Sequence, residues 1–249
     1  MYNSKSFLKA DILQNIWDKK SKTYPKFNNT KSAFQIEFFD FLTSSGVNFE
    51  GKSVIDVGCG TGVYTLFIAQ KAKNVLGIDT SKDMLNALKQ SAKDEGLNNI
   101  QTLQSGIYGV VSKFDIAFLT MSPALKNETD FKKFMSFADL RVYMNWAKPR
   151  TSNVLEPFFE KYGRTQTAIT ITQLEAYLKN RQIPYKSKIL NEFRSVKRSL
   201  SEAYENVSWH LEINGIKLPK EEILKELQKL AIDEFITEDL SSSMKVLVF

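Results

Sequence analysis

The segment that most constrains the fold is Val54–Thr65, with the sequence VIDVGCGTGVYT. An apolar strand pattern leads directly into a turn that holds Gly58, Gly60 and Gly62, and a helical pattern follows. Glycines remove every Cβ from one side of such a turn, so a ligand can lie against the backbone while the helix N-terminus offers it free N–H groups. Because strand, turn and helix stand in this order, the segment predicts a binding site for a nucleotide-type cofactor.

The rest of the chain alternates in the same way. From residue 52 onward, short β-branched runs alternate with helical patterns, which is typical of βαβ units around a largely parallel sheet. We predict strands at about 53–57, 74–78, 100–103, 114–119, 140–146 and 185–196, and a last buried strand at 244–249. We predict helices near 4–20, 30–45, 62–72, 81–95, 127–138, 152–162, 170–181, 199–212 and 220–239.

Length and composition limit the classes of protein. At 249 residues and 43% hydrophobic, the chain suits one sizeable α/β domain with an insertion. Its single cysteine, Cys59, excludes an internal disulfide framework, and one Cys with one His cannot supply a zinc cluster, so no metal site is expected. No apolar run approaches the roughly 20 residues that span a bilayer, and the first residues lack the apolar core of a signal peptide. We therefore expect a cytoplasmic protein without membrane contact.

The net charge of +6 bears on possible polyanionic partners. Lysines scattered over the chain carry most of the positive charge, which favours solubility over phosphate recognition. Two segments are more basic, Lys5–Lys31 and Lys179–Arg198. They are either a nucleic-acid surface or solvated faces, and charge runs are more often the latter.

Two details distinguish between cofactors. The dinucleotide fingerprint G-x-G-x-x-G requires glycine where this chain has Val63, so the spacing here is G-x-G-x-G. Asp56 precedes the first glycine by two residues, where a carboxylate repels a pyrophosphate but suits the ammonium of a methionine moiety. Both details favour S-adenosylmethionine over a nicotinamide dinucleotide.

A second carboxylate, Asp79, ends the strand NVLGID. In adenosine-binding folds, an acidic residue at the end of the strand that follows the glycine turn accepts hydrogen bonds from the ribose hydroxyls. The alternative is that Asp79 caps the following helix, but Ser81 is available for that. We therefore predict that Asp79 binds the ribose.

With these residues, the segment 53–122 resembles the class I, seven-stranded S-adenosylmethionine-dependent methyltransferases. The similarity lies in the glycine motif DVGCGTG and in Asp79, which matches the family's acidic ribose-binding position. It implies an α/β, Rossmann-like fold with a seven-stranded, mostly parallel sheet, an antiparallel last strand, N-terminal helices and a helical cap insertion. It also implies cofactor bound over the carboxyl ends of the first half of the sheet.

The resemblance implies which residues bind the cofactor. Many members carry an acidic residue that contacts adenine at the end of the third strand, but this chain has LQSGIYG there, so Ser105 supplies a weaker polar contact. Met84 packs either on adenine or in the core. The full predicted set is Asp56, Gly58, Cys59, Gly60, Gly62, Asp79, Thr80, Met84, Ser105, Gly106, Ile107 and Met121.

The end of the fourth strand lies where the transferred methyl group should emerge. Ser122-Pro123 is similar to the start of an Asp/Asn/Ser-Pro-Pro-aromatic motif of amino methyltransferases, but Ala124 and Leu125 replace the second proline and the aromatic residue. His210, the sole histidine, lies on a predicted helix far from the cofactor motifs in sequence, so a surface or packing role is preferred to that of a base. Trp146 lines the acceptor pocket or closes the core.

These observations predict one domain over residues 1–249, with N-terminal helices (1–50), a cofactor-binding half (51–150) and a helical substrate cap (199–240). The predicted function is methyl transfer from S-adenosylmethionine to a small-molecule acceptor. The alternatives are a nucleic-acid methyltransferase and a non-catalytic cofactor-binding protein. The sulfonium is already activated, so alignment and exclusion of water suffice, and no catalytic residue is assigned.

Overall fold

The computed structural model describes residues 16–164 and 170–249. Contacts divide the chain into two compact units. The first unit comprises residues 1–147, 169–190 and 244–249, and the second comprises residues 148–168 and 191–243. The single methyltransferase domain expected for residues 1–249 stays a prediction.

The strands were mostly placed correctly from the sequence. They are β1 (Ser53–Val57), β2 (Asn74–Asp79), β3 (Ile100–Gln104), β4 (Ile116–Thr120), β5 (Leu140–Trp146), β6 (Thr151–Ser152), β7 (Lys186–Ser199) and β8 (Phe235–Val248). In the first unit the sheet order is β3-β2-β1-β4-β5-β8. All neighbouring pairs among the strands from β1 to β5 are parallel, and the last pair, β5 with β8, is antiparallel. This confirms the predicted Rossmann-like α/β class.

The helices cover both faces of this sheet or belong to the second unit. They are α1 (Ala33–Ser44), α2 (Thr65–Ala69), α3 (Lys82–Asp94), α4 (Glu128–Met135), α5 (Glu156–Tyr162), α6 (Thr170–Asn180), α7 (Leu200–Ile213) and α8 (Lys220–Gln228). A further helical segment covers residues 16–20, whereas the earlier part of the helix predicted at 4–20 lies outside the described residues. Within residues 16–164 and 170–249, no helix is long and apolar enough to cross a membrane.

Two buried apolar clusters form the core of the first unit. One contains Ile55, Leu119, Phe134 and Tyr143, and the other contains Phe38 with many neighbours from the sheet. Strands β1 and β4 contribute side chains to both clusters, as expected of parallel strands that are covered on both faces. The sheet is thereby fixed, and the carboxyl ends of its strands hold the loops that carry the predicted site.

The last predicted helix and the last predicted strand were wrong in extent. The helix predicted over 220–239 ends at Gln228, and β8 already begins at Phe235. Between them the chain reverses at Asp233 and Glu234, which both have positive φ. Ile236, Glu238 and Leu240 are buried while the residues between them are exposed, a period of two that requires a strand. The charged Glu238 at an inward position concealed this alternation.

The second unit has its own apolar cluster. Residues of α5, α7 and α8 pack there, among them Phe158, Val207 and Leu227. Strand β6 pairs antiparallel with β8 at Ser152 and Leu240. Strand β7 also pairs with β8, so the sheet has eight strands where the resemblance implied seven.

Candidate cofactor-binding site

The three glycines after β1 have different structural roles. All three have positive φ, at +71° for Gly58, +54° for Gly60 and +88° for Gly62. A Cβ on Gly58 would lie 2.0 Å from Ser122 Oγ, and one on Gly62 would lie 2.2 Å from Leu88 Cδ1. A Cβ on Gly60 would meet no atom within 4 Å. Gly58 and Gly62 thus allow close packing within the protein, whereas Gly60 borders open space that a ligand can enter.

Asp79 ties this turn to the end of β2. Its Oδ2 accepts a hydrogen bond from Gly60 N at 3.0 Å, and its Oδ1 accepts one from Ser81 N at 2.9 Å. Helix α3 is capped instead by the Ser81 side chain, which accepts a hydrogen bond from Met84 N at 3.2 Å. The cap alternative for Asp79 therefore fails, because Ser81 fills that position. Burial raises the pKa of Asp79, although the backbone hydrogen bonds from Ser81 and Gly60 oppose this.

Asp56 is the most deeply buried carboxyl group of the site, with 2% of its surface exposed. The pKa of Asp56 is raised to about 7, mainly by burial and to a smaller extent by the charge of Asp79, while the hydrogen bond from Thr65 opposes the rise. Thr65 Oγ1 donates to Asp56 Oδ2 at 2.6 Å. The two acidic residues concentrate negative charge beside the glycine turn, which favours a cationic ligand.

The loop after β3 connects to the same carboxyl end. Ser105 N donates to Asp79 O at 3.0 Å, and Ser105 Oγ donates to Gly106 O at 2.9 Å. Gln104 Nε2 donates to Thr80 O at 3.2 Å, a contact that the sequence did not indicate. The predicted adenine loop and the predicted ribose carboxylate are thus brought together.

Three apolar side chains of the predicted set are buried in the protein. Met84 and Ile107 are buried, and Ile107 belongs to a core cluster. Cys59 is buried against Leu66, Leu85 and Leu88, and burial is the main cause of its raised pKa. Their contact with a cofactor stays a prediction.

The end of β4 has a strained backbone. Met121 has φ +54°, which is uncommon for a residue with a side chain, and its N–H donates to Met144 O at 2.8 Å. Asn145, which the sequence did not single out, donates from Nδ2 to Tyr143 Oη at 3.0 Å and to Ser122 O at 3.4 Å. Met121 and Trp146 are partly buried against the apolar cluster that contains Phe38. Backbone strain of this kind clusters at functional sites, which agrees with the predicted position of methyl transfer.

A segment before β1 also reaches the site. Thr61 Oγ1, in the glycine turn, donates to Pro25 O at 2.6 Å. Ser81 Oγ donates to Asp18 Oδ1 at 2.5 Å. The segment between Asp18 and Pro25 is therefore fastened to the loops after both β1 and β2. No sequence pattern indicated these contacts, because single polar residues in a lysine-rich stretch have no characteristic spacing.

Comparison with known proteins agrees with this geometry. A family model described as a methyltransferase domain matches residues 54–138, which cover β1 through α4 and the loop after it. A S-adenosylmethionine-dependent methyltransferase from Geobacter sulfurreducens, solved with S-adenosyl-L-homocysteine, shares the fold with a TM-score of 0.53. It is 15% identical, and the alignment covers 94% of this chain and 97% of that one. The methyltransferase-domain match spans the segment that holds the glycine turn, Asp79 and the loops after β3 and β4. The superfamily and the cofactor predicted from the sequence are thereby confirmed.

Similarity to curated methyltransferases is confined to segments. Over 68 residues the chain is 40% identical to the (S)-tetrahydroprotoberberine N-methyltransferase of Eschscholzia californica, which covers 26% of this chain and 18% of the relative. Over 140 residues it is 29% identical to the demethylmenaquinone methyltransferase of Lactococcus lactis, which covers 53% of this chain and 55% of the relative. The chain therefore spans at most about half the length of these relatives.

The remaining candidate, the sole histidine His210, lies in the second unit. His210 Nε2 lies 3.5 Å from Arg150 Nη2, and its ring packs edge-on against Trp209. This agrees with a packing role, while a role as a base stays unassigned.

Proposed function

We propose that this methyltransferase superfamily member transfers a methyl group from S-adenosylmethionine to a small-molecule acceptor. The observation that carries the proposal is the open space beside Gly60, bordered by the carboxylate of Asp79. A ribose fits this pairing, because a carboxylate accepts hydrogen bonds from two vicinal hydroxyls while the missing Cβ admits the ligand. The neighbouring Asp56 suits the ammonium of the methionine moiety.

The protein's contribution is alignment. When bound, the cofactor supplies an activated methyl group that an O, N, S or C nucleophile can accept by in-line displacement. Asp79 and the glycine turn hold the adenosine half of the cofactor. The strained backbone at Met121 shapes the end of β4, where the methyl group is transferred. Tyr143 and Asn145 fix the loop after β4. Orientation of two reactants is a sufficient source of rate for an acceptor that is already nucleophilic.

The small-molecule choice rests on the state of the basic segment 179–198. Each of its seven basic side chains has a partner within its own unit, either an acidic residue, a backbone oxygen or an aromatic ring. The residues are Lys179, Arg181, Lys186, Lys188, Arg194, Lys197 and Arg198. Phosphate recognition needs cations that can exchange small counterions for phosphate, and partnered cations do so less readily. The curated relatives named above, which carry names of small-molecule methyltransferases, support the same choice.

We further propose that α7 and α8 hold the acceptor, as the sequence predicted for residues 199–240. The support comes from the composition of the two helices. Both are amphipathic: their apolar residues pack in the same cluster, and their polar faces are exposed. Removing residues 200–228, between β7 and β8, should abolish methyl transfer while the first unit retains cofactor binding. Loss of cofactor binding in that variant would overturn the assignment.

Calorimetric titration of S-adenosyl-L-homocysteine tests the cofactor site. Gly60→Val should weaken binding at least tenfold because its side chain fills the open space, and Asp79→Ala should cost on the order of 1.5–3 kcal/mol of binding free energy. The matched control is Gly46→Val, since Gly46 also has positive φ and open surroundings but lies between α1 and β1. Equal affinity in Gly60→Val and the parent would show that the site is misplaced.

A screen of metabolite and RNA fractions with labelled cofactor tests the acceptor class. Label in a small molecule supports the proposal, and label in RNA replaces it with the nucleic-acid alternative. Cofactor binding without any labelled product would leave a non-catalytic binding protein.

A further inference from the structure

Tyr108 combines exposure with a fixed position. It lies in the short 3₁₀ turn Ile107–Gly109, directly after the predicted cofactor-binding residues Ser105, Gly106 and Ile107, and 57% of its surface is exposed. Exposed tyrosines usually lose rotamer freedom when they bind a ligand. Here the hydroxyl is already held, because Tyr108 Oη donates to Asp130 Oδ1 at 2.6 Å.

The partner of Tyr108 is itself rigidly placed. Asp130, on α4, is 6% exposed, and its other oxygen, Oδ2, accepts from Lys126 N at 2.8 Å in the loop after β4. Asn127 Oδ1 accepts a hydrogen bond from Asp130 N at 3.1 Å, as the cap of α4. A buried carboxylate with both oxygens occupied is a firm anchor for the ring.

The turn that carries Tyr108 is tightly closed. Gly109 N donates to Gly106 O at 3.1 Å, and a Cβ on Gly109 would lie 1.9 Å from Ser105 Oγ. The backbone at 105–109 is therefore held in one compact turn.

Strand order places this link at the edge of the site. Strands β3 and β4 are separated by β2 and β1, whose carboxyl ends carry Asp79 and the glycine turn. The bond between Tyr108 and Asp130 joins the turn after β3 to the helix after β4, and these two strands flank β2 and β1 in the sheet. A fixed aromatic ring at this edge can contact a planar base, since aromatic groups prefer such ring contacts.

We propose that Tyr108 is an additional cofactor-binding residue whose ring contacts the adenine, and that Asp130 is the positioning residue that holds this ring. The proposal rests on the proposed function. It assigns to an aromatic contact the part of adenine recognition that Ser105, which lacks a carboxylate, supplies only weakly.

Calorimetric titration with two ligands tests this assignment. S-adenosyl-L-homocysteine contains adenosine and the amino-acid moiety, whereas 5′-methylthioadenosine contains only the adenosine half. Tyr108→Leu removes the ring and should weaken both ligands by a similar factor, about three- to tenfold for a lost aromatic contact. Tyr108→Phe and Asp130→Asn keep the ring but release it, and should weaken both ligands about two- to threefold.

Two controls separate this role from general stability. Tyr185→Phe removes a comparable hydrogen bond, from Tyr185 Oη to Glu175 Oε1 at 2.8 Å, and should leave both affinities unchanged. Asp56→Asn should weaken S-adenosyl-L-homocysteine more than 5′-methylthioadenosine. Equal affinities in Tyr108→Leu and the parent, an effect confined to S-adenosyl-L-homocysteine, or an equal effect of Tyr185→Phe would each overturn the assignment of Tyr108. Absence of binding by the parent protein would instead overturn the proposed function.

Discussion

Ser122, at the end of β4, occupies the space in which a side chain on Gly58, at the end of β1, would lie. The distance from Ser122 Oγ to an ideal Cβ on Gly58 is only 2.0 Å. The two loops that flank the candidate methyl-transfer position are therefore in direct contact. Since this contact needs a glycine on one side, it links the cofactor turn to the loop where the acceptor is expected.

The first prediction concerns this contact. Gly58→Ala should lower the free energy of unfolding by roughly 2–4 kcal/mol. One part of this loss is the cost of a Cβ on a left-handed backbone, and the other is the overlap of that Cβ with Ser122, each about 1–2 kcal/mol or more. Urea denaturation measures the loss. Gly46→Ala is the control, because Gly46 also has positive φ but no neighbour within 4 Å, so it carries only the backbone cost. The double variant Gly58→Ala/Ser122→Gly should recover the steric part, and a loss that stays unchanged in it would refute the contact.

The second prediction concerns pH and Asp56. Its pKa in the folded protein, about 7, lies above the ordinary value of 3.8, so the folded state holds a proton that the unfolded state releases. This contribution to stability is complete below pH 3.8 and is lost as pH rises to about 7, by on the order of 1 kcal/mol per pH unit. Thermal melts of the ligand-free protein from pH 5 to 8 should show a decline that Asp56→Asn reduces.

Cofactor binding should have the opposite pH dependence. The ionised form of Asp56 suits an ammonium, so affinity for S-adenosyl-L-homocysteine should rise between pH 6 and 8, by up to about tenfold per unit below the pKa. Asp56→Asn should flatten this rise relative to the parent. Thr65→Val removes the hydrogen bond that lowers the pKa of Asp56 and should move the inflection to higher pH. The same slope in the parent and in Asp56→Asn would assign the pH dependence to another group.

The fourth prediction concerns a buried charge in the second unit. Glu238 is 1% exposed, and its carboxylate accepts hydrogen bonds from Ser152 Oγ at 2.8 Å, Arg198 Nε at 2.8 Å and Asn206 Nδ2 at 3.4 Å. Glu238→Ala should lower the free energy of unfolding by about 1–3 kcal/mol, because it leaves the buried side chains of Ser152 and Asn206 without this partner, while Arg198 is partly exposed to solvent. Chemical denaturation checks this, and Glu192→Ala, which breaks the surface pair with Arg194, should have little effect.

The fifth prediction separates a polyanion surface from solvated charge. Lys186→Gln and Lys188→Gln remove two cations of β7 from exposed contacts with Ser45 O and Glu37, and methyl transfer should stay within about twofold of the parent. Reversal of Arg198 is a poor test, since a glutamate there would face the buried Glu238. Loss of activity together with RNA binding that weakens steeply with salt would favour the nucleic-acid alternative.

The sequence by itself determined the cofactor half of the protein. The strand, glycine turn and helix at Val54–Thr65, and the acidic end of β2 at Asp79, are local patterns whose meaning depends on neighbours in the chain. Local hydrogen bonding and hydrophobic periodicity suffice to specify such elements, and this explains why β1 to β5 and α3 were predicted to within a few residues.

Only the tertiary structure decided how distant residues combine. It showed that Gly60 alone of the three glycines borders open space, that Asn145 holds the loop after β4, and that Tyr108 is anchored on Asp130. It also showed that residues 235–243 form a strand in which Glu238 faces inward. Each of these depends on partners far away along the chain. A single hydrogen bond or steric contact between such partners leaves no period in the sequence, so only the folded arrangement reveals it.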